Sequence, residues 1–236
     1  MVGWPCGPFS TALQTVKCWG DNSAGQLGNG STVGSATPVP VSNLVGVTSI
    51  SAGYDHACAV VSGGGAKCWG NNGAGQLGDG STSSSSVAVD VKDLTGVAGI
   101  ASGLDSTCAR LADGSVRCWG DNTWGQLGSG TGANSISPVC VSGLTATVGI
   151  SAFYSAIPAF VADDRDESFC AVLRDGSVSC WGSNALGGLG TSGPAQGRPV
   201  TVQAVAGVAQ VAGGKHFACA LAGGTLACWG DNGIVS

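Results

Sequence analysis

STCARLADGSVRCWGDNTWGQLGSGT, residues 106–131, is the stretch whose reading decides the fold. Its first half is a hairpin, because Ala112-Asp113-Gly114 fits a three-residue loop with glycine in the left-handed position. Cys108 and Cys118 lie equidistant from Asp113, so that turn sets them directly opposite each other. Its second half is a loop punctuated by glycine. The unit recurs. Cys-Trp-Gly begins at Cys18, Cys68, Cys118, Cys180 and Cys228, in steps of 50, 50, 62 and 48 residues. The loop returns as DNSAGQLGNGS (21–31), NNGAGQLGDGS (71–81) and, more loosely, SNALGGLGTSG (183–193); a fifth copy stops at DNGIVS (231–236). One duplicated unit, with an insertion in one copy, explains these steps.

Each unit reads as four short strands. The first is small and apolar, as in GVTSISAG (46–53), GVAGIASG (96–103) and GVAQVAGG (207–214). The hairpin supplies the second and third. The fourth alternates and carries proline, as in PVPV (38–41), PVCV (138–141) and PVTV (199–202). Proline cannot donate to a ladder and belongs at a sheet edge. Small residues suit the narrow axis of a radial array. A four-stranded unit of about 50 residues with these features predicts a β-propeller blade; a linear β-solenoid is the alternative. The units fall near 1–45, 46–95, 96–145, 146–204 with an insertion at 151–168, and 205–236, all in one domain.

Composition agrees. Glycine contributes 42 of 236 residues and charged residues only 10%, yet 43% are hydrophobic and mean hydropathy is +0.28. That is too apolar for a disordered chain. No unbroken apolar run reaches the length of a membrane span. The net charge of −5, with nine Lys and Arg spread along the chain, excludes the basic stripe that nucleic-acid binding needs.

The recurring GxxH-x-CAL and DGxVxCWGxNxxGQLGxG pattern resembles the regulator of chromosome condensation repeat family. The resemblance implies a seven-bladed propeller, of which about four and a half blades are expected here as an incomplete arc; a closed five-bladed ring is the alternative. It also sets His56 and His216 at one position, matched by Ser106 and Ser168, where alternation with serine suits a turn hydrogen bond and not catalysis.

Ten of the eleven cysteines pair across hairpins: Cys6–Cys18, Cys58–Cys68, Cys108–Cys118, Cys170–Cys180 and Cys219–Cys228. In the last hairpin the spacing falls to nine and the turn shortens to Gly223-Gly224, so the register is kept. Spacing and turn length change together, as cross-strand disulfides require. The plainer reading is cysteine as a small buried hydrophobe. Disulfides imply an oxidising compartment, hence an extracellular or cell-surface protein, although MVGWPCGPFS shows no signal peptide. Cys140 is left over, as a free thiol or an intermolecular link.

Antiparallel order places first–second and third–fourth connections on one face. The glycine-rich loops and the insertion therefore share it. Candidate binding residues are Trp124, Phe153, Tyr154 and Phe160, with Asp163, Asp164, Arg165, Asp166 and Glu167. A solvated loop without a partner, and an inter-blade packing role for Trp124, stand beside that reading. No catalytic set, metal motif or cofactor loop is evident. The expected function is a non-enzymatic, exported binding scaffold that presents loops to a protein or glycan. Alternatives are guanine nucleotide exchange on a small GTPase, or inhibition of a secreted enzyme. Open blade edges would allow self-association.

Overall fold

The computed structural model describes residues 7–9, 15–155, 166–203 and 205–231. The first sheet contains β1 (Gly7–Phe9), β2 (Thr15–Gly20) and β3 (Ser35–Pro40). The second holds β4 (Val47–Ala52), β5 (His56–Val61), β6 (Gly65–Gly70) and β7 (Ser85–Asp90). The third holds β8 (Val97–Ser102), β9 (Ser106–Leu111), β10 (Val116–Gly120) and β11 (Ser135–Cys140). The fourth holds β12 (Thr147–Tyr154), β13 (Glu167–Leu173), β14 (Val178–Gly182) and β15 (Gln196–Thr201). The fifth holds β16 (Val208–Gly213), β17 (Phe217–Ala222) and β18 (Thr225–Gly230). Every sheet runs antiparallel in chain order. The inner strands β4, β8, β12 and β16 neighbour one another in turn. This is an all-β, incomplete propeller of about four and a half blades. Among the described residues the first blade lacks an inner strand and the fifth an outer one.

The core lies between blades. Cys58, Val60, Ala66 and Cys68 of the second blade pack with Ile100, Ala109 and Trp119 of the third, and Leu77, Val91 and Leu94 close the seam. The second, third and fourth blades bury apolar residues against a blade on either side, so isolated blades would leave this surface in water. At ~25 cal/mol per Å², removing it from water is the main force joining them.

The hairpin turns hold the expected register. Cys108 faces Cys118, and Cys219 faces Cys228. Gly223 and Gly224 have φ of 55° and 83°, the pair of positive values that a two-residue hairpin turn demands. Disulfides join Cys58–Cys68, Cys108–Cys118, Cys170–Cys180 and Cys219–Cys228, with Cα atoms 4.0–4.1 Å apart. Cys18 is also disulfide-bonded, while Cys6 lies outside the described residues. Cys140 is a free, exposed thiol on β11.

Proline finds its place in a bulge. Third and fourth strands slip register between Cys18 and Gly20, Cys118 and Gly120, and Cys180 and Gly182. Pro38, Pro138 and Pro199 fall in the slipped stretch of an edge strand, where no ladder donor is needed.

Two expectations are corrected. The insertion is shorter than 151–168, because Phe153 pairs with Ser168 and Tyr154 with Glu167, extending β12 and β13. His216 does not share the position of His56. Phe217 pairs with Gly230 as His56 pairs with Gly70, so His216 aligns with Asp55, Asp105 and Glu167. Gly213, standing where Ala52 does, creates a Gly-x-x-His match one residue out of step.

Candidate functional site

The face that carries the candidate residues is built from the glycine-rich loops. Asn72, fully buried, organises one of them: its Nδ2 donates to Ser81 O and Ser83 O, and its Oδ1 accepts from Leu77 N. Gln76 folds back, its Oε1 accepting from Ala74 N at 2.9 Å and its Nε2 donating to Asp105 Oδ1 at 3.1 Å. Trp119 of the next blade then donates its indole N–H to Gln76 O at 2.9 Å. The same clamp recurs from Trp69 to Gln26 O, Trp181 to Gln126 O and Trp229 to Gly188 O. Gly78 lets the indole in, since a Cβ there would stand 2.7 Å from Trp119 Nε1. The loop also reaches the next outer strand, where Gly80 N donates to Ile136 O. These loops therefore tie each blade to the following one.

Blade junctions also meet at the first–second connections. Between the second and third blades, Tyr54 N donates to Gly103 O at 3.0 Å. At the next junction the corresponding amide, Leu104 N, donates instead to Glu167 Oε1 at 2.9 Å. Ser106 Oγ donates to the same oxygen, and Asp105 N to Oε2. Gly103 is essential to that seat, because a Cβ would collide with the carboxylate. Burial raises the Glu167 carboxyl from 4.5 to about 7, against the opposing effect of its hydrogen bonds. Burial also lowers His56 to about 4, so its ring is neutral. Thr107 gives its hydroxyl hydrogen to Gln76 O, so at 2.9 Å it accepts from His56 Nε2.

The structure separates the candidate residues. Glu167 faces inward and braces the neighbouring blade. Phe153 is also buried, against Gly213, where a Cβ would clash with it. Tyr154 is half-buried, and burial with the Glu167 charge raises its phenol. Trp124 is half-buried in the third loop, whose Gly125 abuts Gly197 of the fourth blade. The loop bearing Trp124 thus packs against the blade that carries the insertion. Asp166 accepts from Ser183 Oγ at 2.6 Å and lies 3.6 Å from His216 Nδ1. Phe160, Asp163, Asp164 and Arg165 lie outside the described residues. Among the described residues no group of three or more His, Cys, Asp or Glu side chains converges as a metal site. Among the described residues no helix is long and apolar enough to cross a membrane. The bracing role of Glu167 escapes a reading by repeat period; its one sequence signal is an acidic residue where Asp55 and Asp105 stand.

Comparison with known proteins follows from this geometry. Two family models, both of the regulator of chromosome condensation (RCC1) repeat, match residues 16–60 and 113–153, and 47–76 and 97–126. Together they span 16–76 and 97–153, half of the chain. The chain belongs to the RCC1 repeat family. No curated protein matches this RCC1-repeat chain by sequence. Human WBSCR16 is similar in structure, at 25% identity and a TM-score of 0.75, over 91% of this chain and 56% of that one. Yeast RCC1 (Prp20) bound to Kap60 is similar at 20% identity and a TM-score of 0.75, over 92% and 52%. The CRINKLY ectodomain of the Arabidopsis thaliana receptor kinase ACR4 follows at 19% and 0.50, over 94% and 58%. This RCC1-repeat chain therefore spans about half the length of the solved chains it matches.

Proposed function

We propose that this chain is a non-enzymatic, exported scaffold that presents the loops of one propeller face to a protein partner. The observation that carries the reading is the set of four cross-strand disulfides, one in each of four consecutive blades. Disulfides persist in oxidising compartments and are rare in the cytosol. An ectodomain among the similar folds supports the same location. Protein binding is supported by the yeast neighbours, described as bound to Kap60 and as binding Gsp1p and histones. The partner-facing candidates are Trp124, on a glycine-rich loop, and Tyr154, at the end of β12, both held by a rigid frame.

Guanine nucleotide exchange is the second reading, favoured by the likeness to Prp20. It needs a reduced, GTPase-containing compartment. The two separate on one preparation of the protein from its native source. The scaffold reading expects about one titratable thiol, that of Cys140, and no acceleration of nucleotide release from Gsp1p. Fully reduced cysteines together with accelerated release would establish exchange instead.

A further inference from the structure

The first glycine-rich loop holds a motif that the fold does not absorb. Asn29-Gly30-Ser31 is the single Asn-x-Ser/Thr tripeptide in the 236 residues. A tripeptide of this kind, with no proline at its centre, is an acceptor for N-linked glycosylation. The other repeats give a comparison within the chain. The hydroxyl two residues on is kept in the next two loops, as Ser81 and Thr131, but Asp79 and Ser129 hold the place of Asn29 there. The fourth loop has Thr191 at that place and Gly193 where the hydroxyl would be. Only the first loop carries a complete acceptor.

The structure divides the Asn29 side chain into a held atom and an unused one. Oδ1 accepts from Ser31 N at 3.1 Å and from Asn22 Nδ2 at 3.3 Å. Asp79 accepts from the corresponding atoms, Ser81 N at 2.9 Å and Asn72 Nδ2 at 3.2 Å. What both loops use at this place is therefore an acceptor oxygen, which asparagine and aspartate supply alike. Among the described residues Asn29 Nδ2 makes no hydrogen bond. Asn29 is half-buried, and Gly30, Thr32 and Val33 beside it are exposed. Space around the tripeptide is open, since a Cβ on Gly30 would meet nothing nearer than Val87 at 3.9 Å. The backbone is fixed all the same, because Gly30 N donates to Ser86 O at 2.8 Å. Asn29 thus stands on an ordered loop at the surface with its amide nitrogen uncommitted.

We propose that Asn29 is a modification site that carries an N-linked oligosaccharide. The site rests on the exported reading above, because the sugar donor is met on the export route. In the transfer Nδ2 forms a bond to the anomeric carbon of an oligosaccharide carried on a lipid diphosphate. The bond from that carbon to the diphosphate oxygen breaks, the diphosphate leaves with the electron pair, and Nδ2 gives one of its two protons to a base. Oδ1 is unchanged and keeps both of its donors. The first loop lies against β7 of the second blade, where a Cβ on Gly25 would stand 2.8 Å from Ser86 Cα. Trp124 belongs to the third loop, against the fourth blade. The oligosaccharide therefore stands over the first two blades and leaves Trp124 and Tyr154 clear for a partner.

The test is the intact mass of the full chain from its native source, before and after peptide-N-glycosidase, with free thiols titrated on the same preparation. The enzyme should remove an oligosaccharide mass and leave an aspartate at residue 29. Run in heavy-oxygen water and followed by peptide mapping, it should place the label at residue 29 and nowhere else. Asn29→Asp and Ser31→Ala, expressed in the same cells, should both lose the oligosaccharide. Asn29→Asp keeps the acceptor oxygen that Asp79 supplies in the second loop, so it retains the fold if the alanine variant does not. An unmodified Asn29 in protein with about one titratable thiol, that of Cys140, would overturn the proposal and leave the exported reading standing. An unmodified Asn29 in fully reduced protein would overturn both. Sugar that persists in Asn29→Asp would lie elsewhere and overturn the proposal as well.

Discussion

Burial raises the Glu167 carboxyl from 4.5 to about 7, and the direction of its effect on stability follows from linkage. The folded chain holds this proton through a pH range where the unfolded chain has released it. Stability therefore falls as pH rises from about 4.5 to about 7 and levels off above. Glu167→Gln retains an acceptor for Leu104 N without the charge. Its unfolding free energy should match the parent near pH 4.5 and exceed it at pH 8 by on the order of 3 kcal/mol at most, as read from urea unfolding at each pH. A difference independent of pH would remove the charge from the explanation. His56 acts oppositely: with its pKa lowered to about 4, stability drops as pH falls from 6.5 toward 4. Trp119 offers a test without titration. Trp119→Phe leaves Gln76 O with one donor fewer at a buried seam and should cost ~1–3 kcal/mol in urea unfolding. A loss below experimental error would show the indole bond to be dispensable.

The hairpin is the element on which both fold and redox state rest. Its register follows from turn length, and its cysteines face each other because register and turn agree. Removing Cys108 and Cys118 together by alanine substitution should cost ~2–3 kcal/mol in unfolding, since the closed loop is short. Equal stability of the parent and the double variant when both are fully reduced would confirm that the bond and not the packing carries that difference. The hairpins and the glycine-rich loops were legible from periodicity. The ends of the insertion were not. Strand extension at Phe153 and Tyr154 depends on pairing with Glu167 and Ser168 across a gap of more than ten residues, which a linear pattern does not encode. The false match of His216 to His56, which Gly213 at the place of Ala52 invites, has the same character: only the ladder reveals which residues face each other.

At the scale of the whole molecule, the blades stand in chain order, and β18 is paired on one side only among the described residues. An exposed strand edge templates pairing with another chain. The isolated 236-residue chain should therefore associate with rising concentration in analytical ultracentrifugation; a concentration-independent monomer would mean that this edge is covered. The candidate face makes a separate prediction. Trp124→Ala should weaken partner binding while shifting the melting temperature little, because the residue is half-buried on a loop. Unfolding on that change would assign Trp124 to packing between the third and fourth blades.

Repeat period, turn chemistry and residue size are local properties, and through them the amino-acid order alone determined the blade, its four strands, the opposed cysteines and the family. Contacts between blades are not local. That Glu167 replaces a backbone carbonyl at one junction and that Phe153 turns inward were decided only when neighbouring blades closed on one another. In each case the deciding atoms come from segments tens of residues apart, and a side chain's role depends on what the next blade presents to it.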